Sequence, residues 1–452
     1  MKTPPTKQIA SYLSQLVLDI RAGEVLPDAG NHVRQHLMDS VAAAFIGGKS
    51  LVFKDLAALA SFNGRVVNQP DPAIKMYQEL AKLWAFAING SVSEDGSREG
   101  ACHPAAAVMP VVLAFSQGKS WDVIEKAVIA GYDVMIRMAR CGNPQFARKG
   151  FHATAITAPF GAAATFSQLM EYDLATTQNA LCLAAMGGSG LMSSFKLGST
   201  QPLQVAWGVG NGVTAALLAG RGHAGYSKII EEGFLPAYLD YVGSYSVAQD
   251  LENDFAITGC YLKPYPGCRH MHSSLYAFDA LTQMETINYE EIDKIVIGTY
   301  RVAVDTGIST LSSRGDAYFN VPYAIAARSV LGKSTYDTFD EKHFSNNSIV
   351  ALMKNITVSV DPEIEAQYPR QRGAKLEITL LSGRSLSHTV HYPLGEPENP
   401  VSLSSTKEKM FDAIGDKLTV GEKENMANIL FSNSNTLPLS AASEMMNCLI
   451  NL

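Results

Sequence analysis

The sequence predicts a mainly α protein: a large all-helical domain with a smaller α+β domain. Three observations predict it. Apolar residues recur at helical spacing through the first half of the chain, from about Thr6 to Tyr241. After about Ile257 the pattern changes to short alternating runs rich in β-branched residues. The last fifty or so residues return to helical spacing.

In the first half, HVRQHLMDSVAAAFIGG, ELAKLWAFAINGSV, VIEKAVIAGYDVMIRMAR, TTQNALCLAAMGGSG and QVAWGVGNGVTAALLAG each carry a helical repeat. Several are apolar nearly all round, with Ala and Gly on opposite faces. Such helices belong in the middle of a bundle, where small residues let neighbours approach. The strands are IDKIVIGTY, NITVSVDP and AKLEITLLSGRSLSHTVHY, the last folded into a hairpin at its glycine. Helices between them, such as VPYAIAARSVLGK, cover one face of the sheet. SSTKEKMFDAIGDKL and NTLPLSAASEMMNCLIN are helical again. The expected division is residues 1–256 for the first part of the helical domain, 257–399 for the α+β domain, and 400–452 for helices returning to the first domain.

With 452 residues, 47% of them hydrophobic and 17% charged, the chain can bury two cores and has the composition of a soluble enzyme. A net charge of −7 argues against nucleic acid, whose phosphates demand a basic surface. No run reaches the roughly 18 apolar residues of a membrane span. The N-terminus has no signal-peptide pattern, and the six cysteines are scattered without zinc-like spacing. The expectation is a cytoplasmic protein with reduced thiols. MGGSG at Met186–Gly190 lacks the pattern of a phosphate loop, so no nucleotide is expected.

Three polar stretches stand out. Ser93-Glu94-Asp95-Gly96-Ser97 leads to His103, just ahead of the apolar helix AAAVMPVVLAF. His152, in Gly150-Phe151-His152, likewise precedes an apolar helix. Each is either an acid/base group at a helix start or a structural imidazole, and two such histidines can converge on one pocket. The third stretch, LKPYPGCRHMH, gathers Lys263, Arg269, His270 and His272 in a proline-stiffened loop ahead of a helix, the pattern of an anion site. A metal held by Cys268, His270 and His272 is the rival reading, weakened by the lack of zinc-like spacing. Tyr323 opens the helix VPYAIAARS as a core residue or a proton donor, and Gln201 and Gln204 open another.

Together GACHPAAAVMPVVLA, GFHATAITAPFGAAA, TQPLQVAWGVGNGVTAALLA, EEGFLPAY, LKPYPGCRHMHSS, FNVPYAIA and LSGRSLSHTVHYPLGEPENPVS resemble the MmgE/PrpD family, across almost the whole chain. The family includes 2-methylcitrate dehydratase, cis-aconitate decarboxylase and iminodisuccinate epimerase. The resemblance implies a helical domain built from both chain ends, a smaller α+β lid domain and a homodimer. It also implies a small carboxylate substrate, and lyase chemistry without metal, iron–sulfur cluster or nucleotide. Family active-site positions fall on His103, His152, Lys263 and Tyr323. With them, Ser93, Asp95, Ser97, Gln201, Gln204, Arg269, His270 and His272 are expected to contact substrate. Two departures are visible. The family's leading aspartate aligns with Ser93, leaving Glu94 or Asp95 as a shifted carboxylate, and its T-K-P-L-H becomes Thr200-Gln201-Pro202-Leu203-Gln204. These changes make an isomerase, epimerase or cyclase of the same family the alternative to a dehydratase-like lyase, and a non-catalytic binding protein a further one.

Overall fold

The computed structural model describes residues 8–25, 27–61, 72–197, 199–240, 247, 255–307, 311–431 and 441–450. The expected helical limits at Thr6 and Tyr241, and the NTLPLS start of the last helix, lie outside them. The protein is mainly α with a smaller α+β part, as its patterning predicts. It divides into two compact units, one of residues 1–260 with 406–452 and one of residues 261–405. No helix among the described residues is long and apolar enough to cross a membrane.

At the centre of the first unit lies the helix Ala153–Leu169, every residue of which is buried. It packs against Trp121–Gly142, Leu203–Gly220, Ala105–Phe115 and Leu174–Ala184. Small residues permit that density. A Cβ placed on Gly212 would lie 2.4 Å from the Pro159 carbonyl oxygen, so the helix Leu203–Gly220 can approach this closely only with glycine there. Helix starts are fixed by side-chain caps: Ser120 accepts from the Val123 amide and Asp173 from that of Thr176. Near the C-terminus, Val420–Phe431 packs on Pro27–Gly47. Lys409 donates to Asp39 and to the Ser93 carbonyl, both at 2.6 Å, tying the C-terminal segment to the polar run that holds Ser93.

The second unit is built on a four-stranded sheet ordered Ile356–Val360, Ile292–Thr299, Ala374–Leu380, Ser385–Val390. The first pair is parallel, with Ile295 opposite Ile356, and the other two are antiparallel. Period-two alternation sends Ile295, Ile297, Leu376 and Ile378 to the buried face. The helix His272–Met284 packs on the strands Ala374–Leu380 and Ser385–Val390. The hairpin turns at Gly383, whose φ of +85° lies in the left-handed region that favours glycine. The helix Val321–Leu331 starts on the Asn320 side chain and ends at Gly332 in the left-handed conformation.

Candidate active site

In the first unit, the loop Ser93–Pro104 is organised by a buried carboxylate. Asp95 is fully buried and accepts from three donors: His36 Nδ1 at 2.8 Å, the Tyr132 hydroxyl at 2.7 Å and the Ala105 amide at 3.0 Å. Burial alone would raise its pKa, but hydrogen bonds from His36, Tyr132 and Ala105 and the His36 charge outweigh that and hold it below the usual carboxylate range. Asp95 thereby caps the helix Ala105–Phe115 with a charge at its positive end. His36 and Tyr132 were not anticipated from sequence. The available signal was a histidine three residues ahead of an aspartate, His36 and Asp39, inside an otherwise apolar helix.

His103 follows from this arrangement. Its Nδ1 lies 2.5 Å from the Asp95 backbone carbonyl, which can only accept. Nδ1 therefore carries a proton, which leaves Nε2 as the ring nitrogen that can exchange one. The ring is 27% exposed, and its backbone amide donates to Thr154 Oγ1 at 3.1 Å, which draws together the two helix starts. Glu94, nearly fully buried, accepts from Asn89 at 3.0 Å and stands 3.9 Å from His103 Nδ1. Ser93 is buried and its hydroxyl has no hydrogen-bond partner among the described residues. Ser97 accepts from the Gly100 amide at 3.2 Å.

His152 is buried at the start of Ala153–Leu169, its amide bonded to the Gly190 carbonyl. Its Nδ1 is 3.3 Å from Gln201 Nε2, a donor, so Nδ1 accepts and Nε2 bears hydrogen. Burial, and secondarily the nearby His103 charge, push its pKa down to about 3. His152 is a neutral imidazole at pH 7. Gln204 is committed elsewhere, accepting from the Leu191 amide and donating to Ser194 Oγ at 2.7 Å.

In the second unit, Arg269 is saturated. Its guanidinium is held by Glu396 at 2.9 Å, by the carbonyls of Leu262, Pro393 and Leu394, and by His272 Nδ1 at 3.0 Å. Lys263 is only 2% exposed. His270 donates to or accepts from the Tyr300 hydroxyl at 2.6 Å; burial and the charges of Arg372, Lys263 and Arg269 push its pKa down to about 3. Tyr323 is buried and donates to the Thr338 carbonyl at 2.7 Å, and burial raises its pKa. All six cysteines are free thiols, and no group of three His, Cys, Asp or Glu side chains suited to a metal occurs among the described residues.

Chemically, the first unit presents two imidazoles of opposite readiness: one half-buried with Nδ1 tied to a backbone carbonyl and Nε2 left for proton exchange, one buried and uncharged with an N–H to offer. The second unit presents buried cations.

Residues 8–243 match the MmgE/PrpD N-terminal domain and residues 265–435 the MmgE/PrpD C-terminal domain. Among curated relatives, cis-aconitate decarboxylase of Aspergillus terreus is 24% identical over 99% of this chain and 96% of its own. Human cis-aconitate decarboxylase is 21% identical over 89% and 87%. The cis-aconitate decarboxylase-like protein oryM of Aspergillus oryzae is 20% identical over 90% of each. With both domain signatures matched in order over most of its length, the chain belongs to the MmgE/PrpD family.

Proposed function

We propose that the protein is a cofactor-independent lyase acting on a small carboxylate by proton transfer at a carbon next to a carboxylate group. The observation that carries this reading is the His103–His152 arrangement: one imidazole with its Nδ1 proton tied to a backbone carbonyl, the other neutral and charge-coupled to it. The names of the relatives, cis-aconitate decarboxylases, supply the substrate class. In the first unit, His103 Nε2 exchanges the proton at carbon and His152 donates a hydrogen bond to enolate-like charge without itself titrating. In the second unit, Lys263 is read as a carboxylate-binding cation.

Asp95 is read as the anchor of His103 and Glu94 as the carboxylate nearest to it. With its guanidinium saturated, Arg269 shapes the loop instead of meeting substrate. Exposed Trp207, Leu191 and Met186 on the first unit suit self-association, so a homodimer is the inferred assembly, measurable by light scattering.

Proton NMR of the purified protein in D2O with cis-aconitate, citrate, 2-methylcitrate and simpler dicarboxylates tests the reading. Vinylic products or loss of a carboxylate are expected. A second reading, an isomerase, epimerase or cyclase, is favoured by Ser93 standing where the resemblance puts an aspartate, with its hydroxyl unpartnered. Deuterium incorporation at an α-carbon without elimination would select it. Silence across the panel would sink both for these substrates.

A further inference from the structure

The second unit buries Arg372 together with Arg269 and Lys263, and the carboxylate whose charge acts on Arg372 is Glu396, already held by Arg269. Arg372 is 8% exposed, and its guanidinium makes no hydrogen bond or ion pair to any described residue. Its Nε is buried without a partner. The face of Tyr261 lies 5.6 Å from the guanidinium carbon, Arg269 shares that ring from 4.8 Å, and the charge of Glu396 acts on Arg372 from beyond ion-pair distance. A cation–π contact offsets only a small part of what desolvating a guanidinium costs. Glu396 is engaged by Arg269 at 2.9 Å, and its single charge is shared with Arg372, favouring the charged form of Arg372 without a direct ion pair.

The backbone nevertheless holds Arg372 firmly in this position. Ser273, in the first turn of the helix His272–Met284, donates its hydroxyl to the Arg372 carbonyl, and Thr299 donates to that of Gly373 at 2.9 Å. A Cβ on Gly373 would sit 2.6 Å from the Val390 carbonyl, which fixes the chain where it turns into its strand. A preorganised, desolvated and unpaired arginine is the arrangement expected of an oxyanion-binding group. The surroundings agree: the charges of Arg372, Lys263 and Arg269 all act on His270, whose pKa they and burial depress.

We propose that Arg372 is an anion-recognition residue of the second unit, binding a carboxylate group of the ligand in the same cationic cluster as Lys263. This deepens the carboxylate reading above and rests on it for the choice of carboxylate over phosphate.

The test uses the full chain and its R372M and R372K variants, with calorimetric titration of citrate, cis-aconitate, malonate and inorganic phosphate, and melting without ligand. At least one carboxylate should bind the wild type. R372M should weaken it tenfold or more and R372K by less, because lysine keeps the charge and loses the fork. Without ligand, R372M should melt at or above the wild-type temperature, since a buried unpaired cation has been removed. An unchanged Kd in R372M, binding of phosphate alone, no binding by the wild type, or an R372M chain that melts lower or fails to fold would each overturn the proposal. Proton NMR turnover on the same samples separates the two readings. Arg372-dependent binding without turnover sinks the lyase and spares this site, whereas turnover with an R372M KM equal to wild type does the reverse.

Discussion

The imidazole of His103 gives its Nδ1 proton to the backbone carbonyl of Asp95 at 2.5 Å, and the carboxylate of that same Asp95 is held by His36 and Tyr132. One residue thus sets the tautomer of the imidazole through its main chain and anchors the loop through its side chain. If His103 is the proton carrier, H103Q should lower kcat by about 10²–10⁴ and leave KM within a few-fold, the range for a lost general acid or base. Isotope incorporation in D2O should fall in parallel. Wild-type exchange rates in H103Q would reject the assignment.

Asp95 gives a stability prediction with a defined sign. Its folded pKa is depressed, so its contribution is present above the unfolded aspartate value of about 3.9 and is lost as pH falls through the lower folded value. D95N keeps the shape and removes the charge, leaving His36 and Tyr132 facing a neutral amide. A loss of roughly 2–4 kcal/mol is expected at pH 7, read from urea unfolding. The difference between wild type and D95N should shrink below pH 4.

His152 acts in the same direction by a different route. Its folded pKa, about 3, lies below the unfolded histidine value of about 6.5, so between these limits the unfolded chain binds a proton that the folded chain does not. Stability therefore falls with falling pH across that window, by up to about 1.4 kcal/mol per pH unit from this one group. Substituting H152Q should remove that portion of the slope from urea titrations at pH 6.5 to 4. An identical slope in the variant would mean that His152 is not held neutral.

Much of this was legible in the sequence because the signals are local. His103 and His152 each stand directly before an apolar helix, and the hairpin at Gly383 is written in its alternation and its glycine. What escaped depends on partners remote along the chain. His36 lies 59 residues from Asp95, and its burial follows from tertiary packing that no window reveals. Arg372, two residues after Arg370, has the pattern of a solvated surface, and only the packed sheet withdraws it from water. Arg269 shows the converse. Its position in a cationic loop suggests ligand contact, yet Glu396, 127 residues on, occupies it. Gln201 and Gln204 read alike three residues apart, but one turns to His152 and the other to the loop 191–194.

Tyr323 separates a structural from a chemical role. Its hydroxyl donates to the Thr338 carbonyl at 2.7 Å while the ring packs against Phe339 and Phe344, and Thr338 in turn takes the Thr335 amide on its hydroxyl. The phenol proton is therefore spent on a buried acceptor, and burial raises its pKa further from any working pH. Y323F deletes one oxygen, leaving the Thr338 carbonyl without this donor, at a cost of about 1–3 kcal/mol. A lower melting temperature with kcat within about threefold of wild type is expected. If the phenol instead delivered a proton to substrate, the pattern would invert, with kcat down by about 10² or more and melting nearly unchanged. The two outcomes differ in which quantity moves, so measuring kcat and melting on one preparation decides between a tyrosine that holds the Thr335–Thr338 turn and one that does chemistry.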